Sequence, residues 1–197
     1  MKPLLRNALI VAALAVAGAA AYTAGRMLAP APEPVGTELT NPIDMTGIEL
    51  QGVGGTQVHL GDYSGDVTAV FFGYTRCPDV CPLTMARLAD AYRDLGEPDG
   101  LNVVMVTVDP GFDTPEITNA YAQVFHEDFT GLGGSNQQIA TAAAAFYVGY
   151  NDIGTEVIHT DAVMLLDRQG RFRMLYSTDR LPYLMNDLKY ILASSDW

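Results

Sequence analysis

The chain has 197 residues, enough for one domain with a sizeable core plus an appendage. With 23 acidic residues against 11 basic ones it carries a formal charge of −12, which argues against nucleic acid as a partner. The acidic surface keeps such a domain soluble and could also meet a basic protein. Only two cysteines, Cys77 and Cys81, and three histidines, His59, His126 and His159, offer thiol or imidazole chemistry.

The chain opens on a targeting segment, residues 1–28. Lys2 and Arg6 make a short positive region, and residues 8–24 form an apolar, alanine-rich run. A spanning helix needs about 17–25 such residues, so this run sits at the lower limit. Ala19, Ala20 and Ala21 offer small residues for signal cleavage, so a retained membrane anchor and a cleaved signal both stay open. The positive flank keeps the N-terminus inside and sends the remainder across, although Arg26 beyond the run weakens that contrast. Either way the domain is expected outside the cytoplasm, anchored on the periplasmic side of the inner membrane or exported. Thiols there need a reductant to stay reduced. Residues 29–42 read as a Pro-rich linker with APAPEP at its start, and residues 43–197 as the globular domain.

In that domain, residues 45–50 and 57–60 flank a glycine-rich turn and predict an N-terminal hairpin. Residues 67–72 are continuously apolar and suit a buried central strand. A helix is predicted over 82–95, with Met85, Leu88, Tyr92 and Leu95 on its buried face. Residues 101–108 predict a second buried strand. Asp113-Thr114-Pro115-Glu116 starts another helix, with Ile117, Ala120, Tyr121 and Val124 facing inward. Residues 131–134 read as loop, and Ser135 or Asn136 caps a helix ending near Tyr147. Residues 155–158 are extended; 162–166 and 172–176 form a hairpin around Asp167-Arg168-Gln169-Gly170; 181–193 is a terminal helix. The alternation predicts an α/β fold of thioredoxin-like arrangement, a central mixed sheet flanked by helices.

The chemistry concentrates where the first buried strand ends, in FFGYTRCPDVCP, residues 71–82. Such sheets place their sites at the carboxyl ends of strands. Each cysteine precedes a proline, and a residue before proline is pushed out of the helical region. That places Cys77 in a tight loop and Cys81 at the N-cap of a helix whose first residue is Pro82. A thiol at that position feels the positive helix terminus, and Arg76 adds a charge, so thiolate is favoured. Two close thiols of this kind make a reactive or ligand site. The plain alternative is one structural disulfide, but a loop with three intervening residues constrains little of the unfolded chain.

FFGYTRCPDVCP (71–82), VTVDPGFDTPE (106–116) and IHTDAVMLLDRQGRF (158–172) together resemble the SCO/SenC family of copper chaperones. The resemblance runs along most of the chain from about residue 44. It implies a metallochaperone that delivers copper to, or prepares, the dinuclear copper centre of cytochrome c oxidase. It places the copper ligands on Cys77, Cys81 and His159, with one copper per domain, as Cu(I) or also Cu(II). The implied partners are the copper-centre subunit or another copper chaperone, and the membrane through the N-terminal segment. Arg76 is a departure, since family members often carry histidine there.

The residue types support this independently. Two thiolates and an imidazole suit copper, and Cu(I) accepts three ligands; zinc would need a fourth donor or a water. His159 precedes the strand 162–166, which a thioredoxin-like sheet brings beside the cysteine loop. Arg76, Asp79 and Asp109 are candidates for supporting or docking roles. His59 is expected to face solvent and His126 to end a helix, while Met85, Met105, Met164 and Met174 read as core. A second reading is a thiol–disulfide oxidoreductase using the Cys77–Cys81 pair, with the cysteines of a copper acceptor as one substrate, and a third is a thioredoxin-like peroxidase. The CxxxC spacing, and the lack of proline between residues 142 and 181, argue against a general oxidoreductase. Asp161 stands near the place where such enzymes carry a cis-proline.

Overall fold

The computed structural model describes residues 3–28, 34–152 and 157–197. The chain divides into two compact units, Met1–Glu33 and Pro34–Trp197. The first is built on α1 (Pro3–Leu28), a helix whose Ile10, Val11, Leu14, Val16 and Tyr22 are exposed. Among the described residues no helix is long and apolar enough to cross a membrane. The first part of the expected linker, residues 29–33, lies outside the described residues, as do Lys2 and residues 153–156.

The second unit holds a six-stranded mixed sheet. Its strands are β1 (Thr37–Asp44), β4 (Val67–Gly73), β5 (Leu101–Thr107), β6 (Thr130–Leu132), β9 (Ala162–Leu166) and β10 (Arg171–Ser177). Two small ribbons stand apart from it: β2 (Glu49–Gln51) with β3 (Gln57–His59), and β7 (Tyr150–Asp152) with β8 (Val157–His159). The sheet order is β1-β10-β9-β4-β5-β6. The order follows from burial: β4 and β9 are buried at every position, so they take the centre, whereas β1 is largely exposed and lies at the edge. β4, β5 and β6 run parallel, with Gly73 opposite Thr107 at their carboxyl ends. β9 runs antiparallel to β4, so its first residue, Ala162, starts at that same end.

The helices are α2 (Val80–Asp94), α3 (Pro115–Phe125), α4 (Asn136–Ala145) and α5 (Leu184–Ala193). Ser135 caps α4 through a reciprocal pair with Gln138, which its side chain makes possible at that spacing. Thr114 caps α3, accepting from the Ile117 amide. The buried face of α3 is also rotated from expectation: Thr118 and Ala122 are buried, Tyr121 is half-buried, and Ile117 and Val124 are exposed. Thr118 tolerates burial because its hydroxyl donates to the Thr114 carbonyl one turn back.

The predicted hairpin across Asp167-Arg168-Gln169-Gly170 forms as β9 and β10. The N-terminal hairpin forms as the shorter β2–β3 ribbon. Three strands were not expected. β1 occupies residues read as the end of the linker, β6 falls partly in residues read as loop, and β7 had no apolar signature. β1 and β6 are held by pairing with strands distant in sequence, and β7 by pairing with the next strand, β8, rather than by their own patterns. The four methionines expected in the core are buried.

Candidate metal centre

β4 delivers the cysteine loop. Its last residue, Gly73, pairs with β5 and accepts a hydrogen bond from the Val108 amide. A Cβ at Gly73 would lie 3.1 Å from the Cys81 sulfur and 2.7 Å from the Phe71 ring, so glycine lets the thiol pack against the end of the strand. The chain then turns through Tyr74, whose carbonyl accepts from the Cys77 amide at 3.2 Å. Cys77 and Cys81 are both free thiols, 8% and 0% exposed. The Cys81 amide donates to the Cys77 sulfur at 3.5 Å, which brings the two residues into contact.

The start of α2 corrects the expected geometry. The helix begins at Val80 with Asp79 as N-cap, so Cys81 lies inside the first turn. Pro82 is accommodated there because first-turn amides have no partner within the helix. The helix terminus is therefore aimed at the Cys77 sulfur, through the Cys81 amide, and not at the Cys81 sulfur. Burial pushes the Cys81 thiol well above its ordinary range, against the thiolate character expected of an N-cap; a hydrogen bond with the Tyr74 backbone opposes this only in part. Desolvation outweighs the dipole because the side chain has no solvent exposure.

Arg76 also departs from expectation. Its guanidinium pairs with Asp109 at 2.6 Å and lies over the Phe112 ring, 4.3 Å from the centroid. It thus clasps the cysteine loop to the loop after β5. Asp109 is buried and accepts this contact, while its amide donates to the Thr107 hydroxyl. Asp79 is exposed and makes no capping bond through its side chain.

The residue that ties the site together is Asp113, which sequence reading assigned only to a helix start. It is 1% exposed. Its carboxylate accepts from the Thr75 amide at 2.8 Å, the Thr75 hydroxyl at 2.5 Å and the Thr107 hydroxyl at 2.9 Å. The β4 loop and the β5 end are thereby fixed to one buried anion. The available signal was weak: an aspartate before a capping threonine, in a loop facing the cysteines.

His159 ends β8, where its backbone pairs opposite Tyr150. Its side chain lies outside the described residues. The segment just after it is beside α2: Asp161 accepts from Thr84 at 3.3 Å, one turn beyond Cys81, and from Thr178 at 2.5 Å. Tyr150 in turn lines a cleft of about 410 Å³ with Asp109, Pro110 and Gly111. Among the described residues no three His, Cys, Asp or Glu side chains converge to hold a metal. His59 is partly exposed and 4.0 Å from Glu49. His126 is more enclosed than a helix end requires, packed edge-on against Tyr92 with its centroid 4.8 Å away.

A mixed sheet flanked by helices, with a free dithiol at the carboxyl end of a central strand, defines a thioredoxin-like domain. Comparison with known proteins narrows this. The SCO1/SenC family profile matches residues 47–190, and the chain belongs to that family. It is 35% identical over 135 residues to the human "Protein SCO2 homolog, mitochondrial", covering 64% of this chain and 51% of the relative. The chain thus spans about half the length of that curated relative. Apo Sco1 from Thermus thermophilus superposes with a TM-score of 0.68 at 36% identity, covering 79% of this chain and 97% of that one. Copper-bound ScoI from Bradyrhizobium japonicum gives 0.66 at 31% identity, covering 77% and 98%.

Proposed function

We propose that this chain is an extracytoplasmic copper carrier that delivers copper to, or prepares, the dinuclear copper centre of cytochrome c oxidase. The observation that carries the proposal is the contact between Cys77 and Cys81, two buried free thiols held at the end of β4. Two soft sulfur donors in a dry pocket fit Cu(I). Relatives of the same fold have been solved with copper bound. The proposed third ligand is His159. The bond from Thr84 to Asp161, two residues later, supports it by bringing that segment alongside the first turns of α2.

In this reading the residues divide the work. Cys77 and Cys81 bind the cargo, and each releases its proton on doing so. Asp113 and the Arg76–Asp109 pair hold the loop in place. Burial of Cys81 disfavours its charged form, so copper must compete with a proton there and binding strengthens as pH rises. The same burial counts against a peroxidase, which needs an exposed cysteine of low pKa. Asp79, exposed beside the thiols, is a candidate docking contact for the acceptor.

The test is copper titration of the reduced and oxidised full chain, with thiols counted in each. The reduced chain should bind one copper and the oxidised chain none, since a disulfide supplies no thiolate. Cys77→Ser or Cys81→Ser should abolish tight binding, and His159→Ala should weaken it about 10–100-fold. Equal stoichiometry in both redox forms would move the metal away from the cysteines. Wild-type affinity in His159→Ala would remove the third ligand.

The exposed apolar side chains of α1 support residues 1–28 as a membrane anchor or export signal. Fractionation of cells expressing the full chain tests this. Recovery of the intact protein in the cytosolic fraction would contradict it.

A further inference from the structure

Tyr121 lies on α3 with its ring 5.3 Å from that of Phe125. Its hydroxyl is the one buried side-chain polar atom without a hydrogen-bond partner among the described residues. Native proteins leave few such groups, because a buried donor without an acceptor forfeits its hydration. The neighbours of the hydroxyl are specific. Burial, first of all, raises this hydroxyl, and Cys81, Cys77 and Asp113 add to the rise in that order, which sets it near the cysteine loop. Asp113 already holds three donors. A protonated thiol is a poor acceptor.

Resting on the copper reading above, we infer that Tyr121 is a positioning residue whose hydroxyl donates to the Cys81 sulfur once that sulfur binds copper. A metal-bound thiolate is a far better acceptor than a thiol. Cys81 is fully buried, so its sulfur carries charge only where nearby donors replace water. The Tyr74 backbone supplies one such contact. The idle hydroxyl of Tyr121 supplies another, and its idleness in the metal-free state makes the contact selective for the loaded state. Groups that hydrogen-bond to metal ligands commonly tune affinity about 10–100-fold on removal.

Tyr121→Phe in the reduced full chain tests the inference, because it removes only the hydroxyl. The metal-free variant should melt at or above the wild-type temperature, since no bond is lost. Its Cu(I) affinity, measured by chelator competition, should fall about tenfold. Its Cu(II) form should show the sulfur-to-copper charge-transfer band at lower energy, because the thiolate loses a hydrogen bond. Unchanged affinity with an unchanged band overturns the role of Tyr121 and leaves the copper site standing. A metal-free variant that melts several degrees lower also overturns it, by revealing a partner in the apo state. A wild-type chain that binds no copper through its cysteines takes down the copper reading and this role with it.

Discussion

Two tyrosines mark two flanks of the same sheet. Tyr176, on β10, is fully buried and donates to Asp187 on α5 at 2.7 Å. The same carboxylate accepts the amides of Val35 at 2.7 Å and Gly36 at 3.1 Å. Tyr121, on α3, has a buried hydroxyl with no hydrogen-bond partner among the described residues. On the antiparallel flank the buried polar groups are closed into networks. Asp167 is another case, accepting from the amides of Gln169 and Arg171 and from the Arg171 side chain. On the parallel flank Asp113 is equally well bonded, but among the described residues the buried Tyr121 hydroxyl has no hydrogen-bond partner. The lesson is a division of labour: one flank secures the fold, and the other tolerates an unmet hydroxyl where the chemistry lies.

The comparison is broken most directly at Asp187. Asp187→Ala strands the buried Tyr176 hydroxyl and releases the start of β1 from α5. A loss of about 3 kcal/mol in unfolding free energy is expected, with copper stoichiometry unchanged. Chemical denaturation of the metal-free chain and a copper titration measure the two separately. Weaker copper binding in a folded Asp187→Ala protein would show that the flanks do not divide as argued.

Asp113→Ala should do less to stability and more to the site. Two of its three donors are hydroxyls that can turn elsewhere, and Thr75 is partly exposed. We expect a loss of about 2 kcal/mol. Copper affinity should nonetheless drop, because Thr75 lies two residues before Cys77 and loses its anchor. Wild-type affinity in this variant would mean that the loop holds itself.

The same asymmetry explains what could be read from the sequence. β4, β5 and the β9–β10 hairpin carried apolar runs and a turn signal, so the core sheet was legible. The capping serine of α4 was legible because its chemistry is local. β1 was not: TELTNPID is mostly exposed, includes a proline, and is strand only because β10 is beside it. The cysteines announced themselves by type and spacing, but their electrostatics did not. Cys81 was expected to be a favoured thiolate at a helix cap, and a helix start two residues earlier, together with full burial, reversed that. Asp113 and Tyr121 were hidden for a related reason. A buried acceptor and a buried idle donor have no sequence signature, since only the packing of α3 against the site gives them their surroundings.

The smallest expected effect tests whether the two flanks unfold together. Burial raises Tyr176 on one flank, and it raises Tyr92 on the other to about 12, where its hydroxyl donates to Asp128. A tyrosine raised in the folded state contributes stability that is complete below its ordinary value of 10.0. That contribution disappears as pH climbs through the folded value, because the unfolded chain then gives up its proton more readily. Cys81 has the same sign, beginning from its ordinary value of 9.0. The denaturation midpoint of the reduced, metal-free chain should therefore hold steady from pH 7 to 8.5 and decline from there to pH 11.5. Each flank contributes titrating groups, yet both belong to one sheet, so the decline should remain a single cooperative transition at every pH. Two separated transitions at high pH, one followed by near-ultraviolet signals and one by the far-ultraviolet, would show that the site flank loosens while the antiparallel flank still stands. The division of labour would then be a division of stability as well.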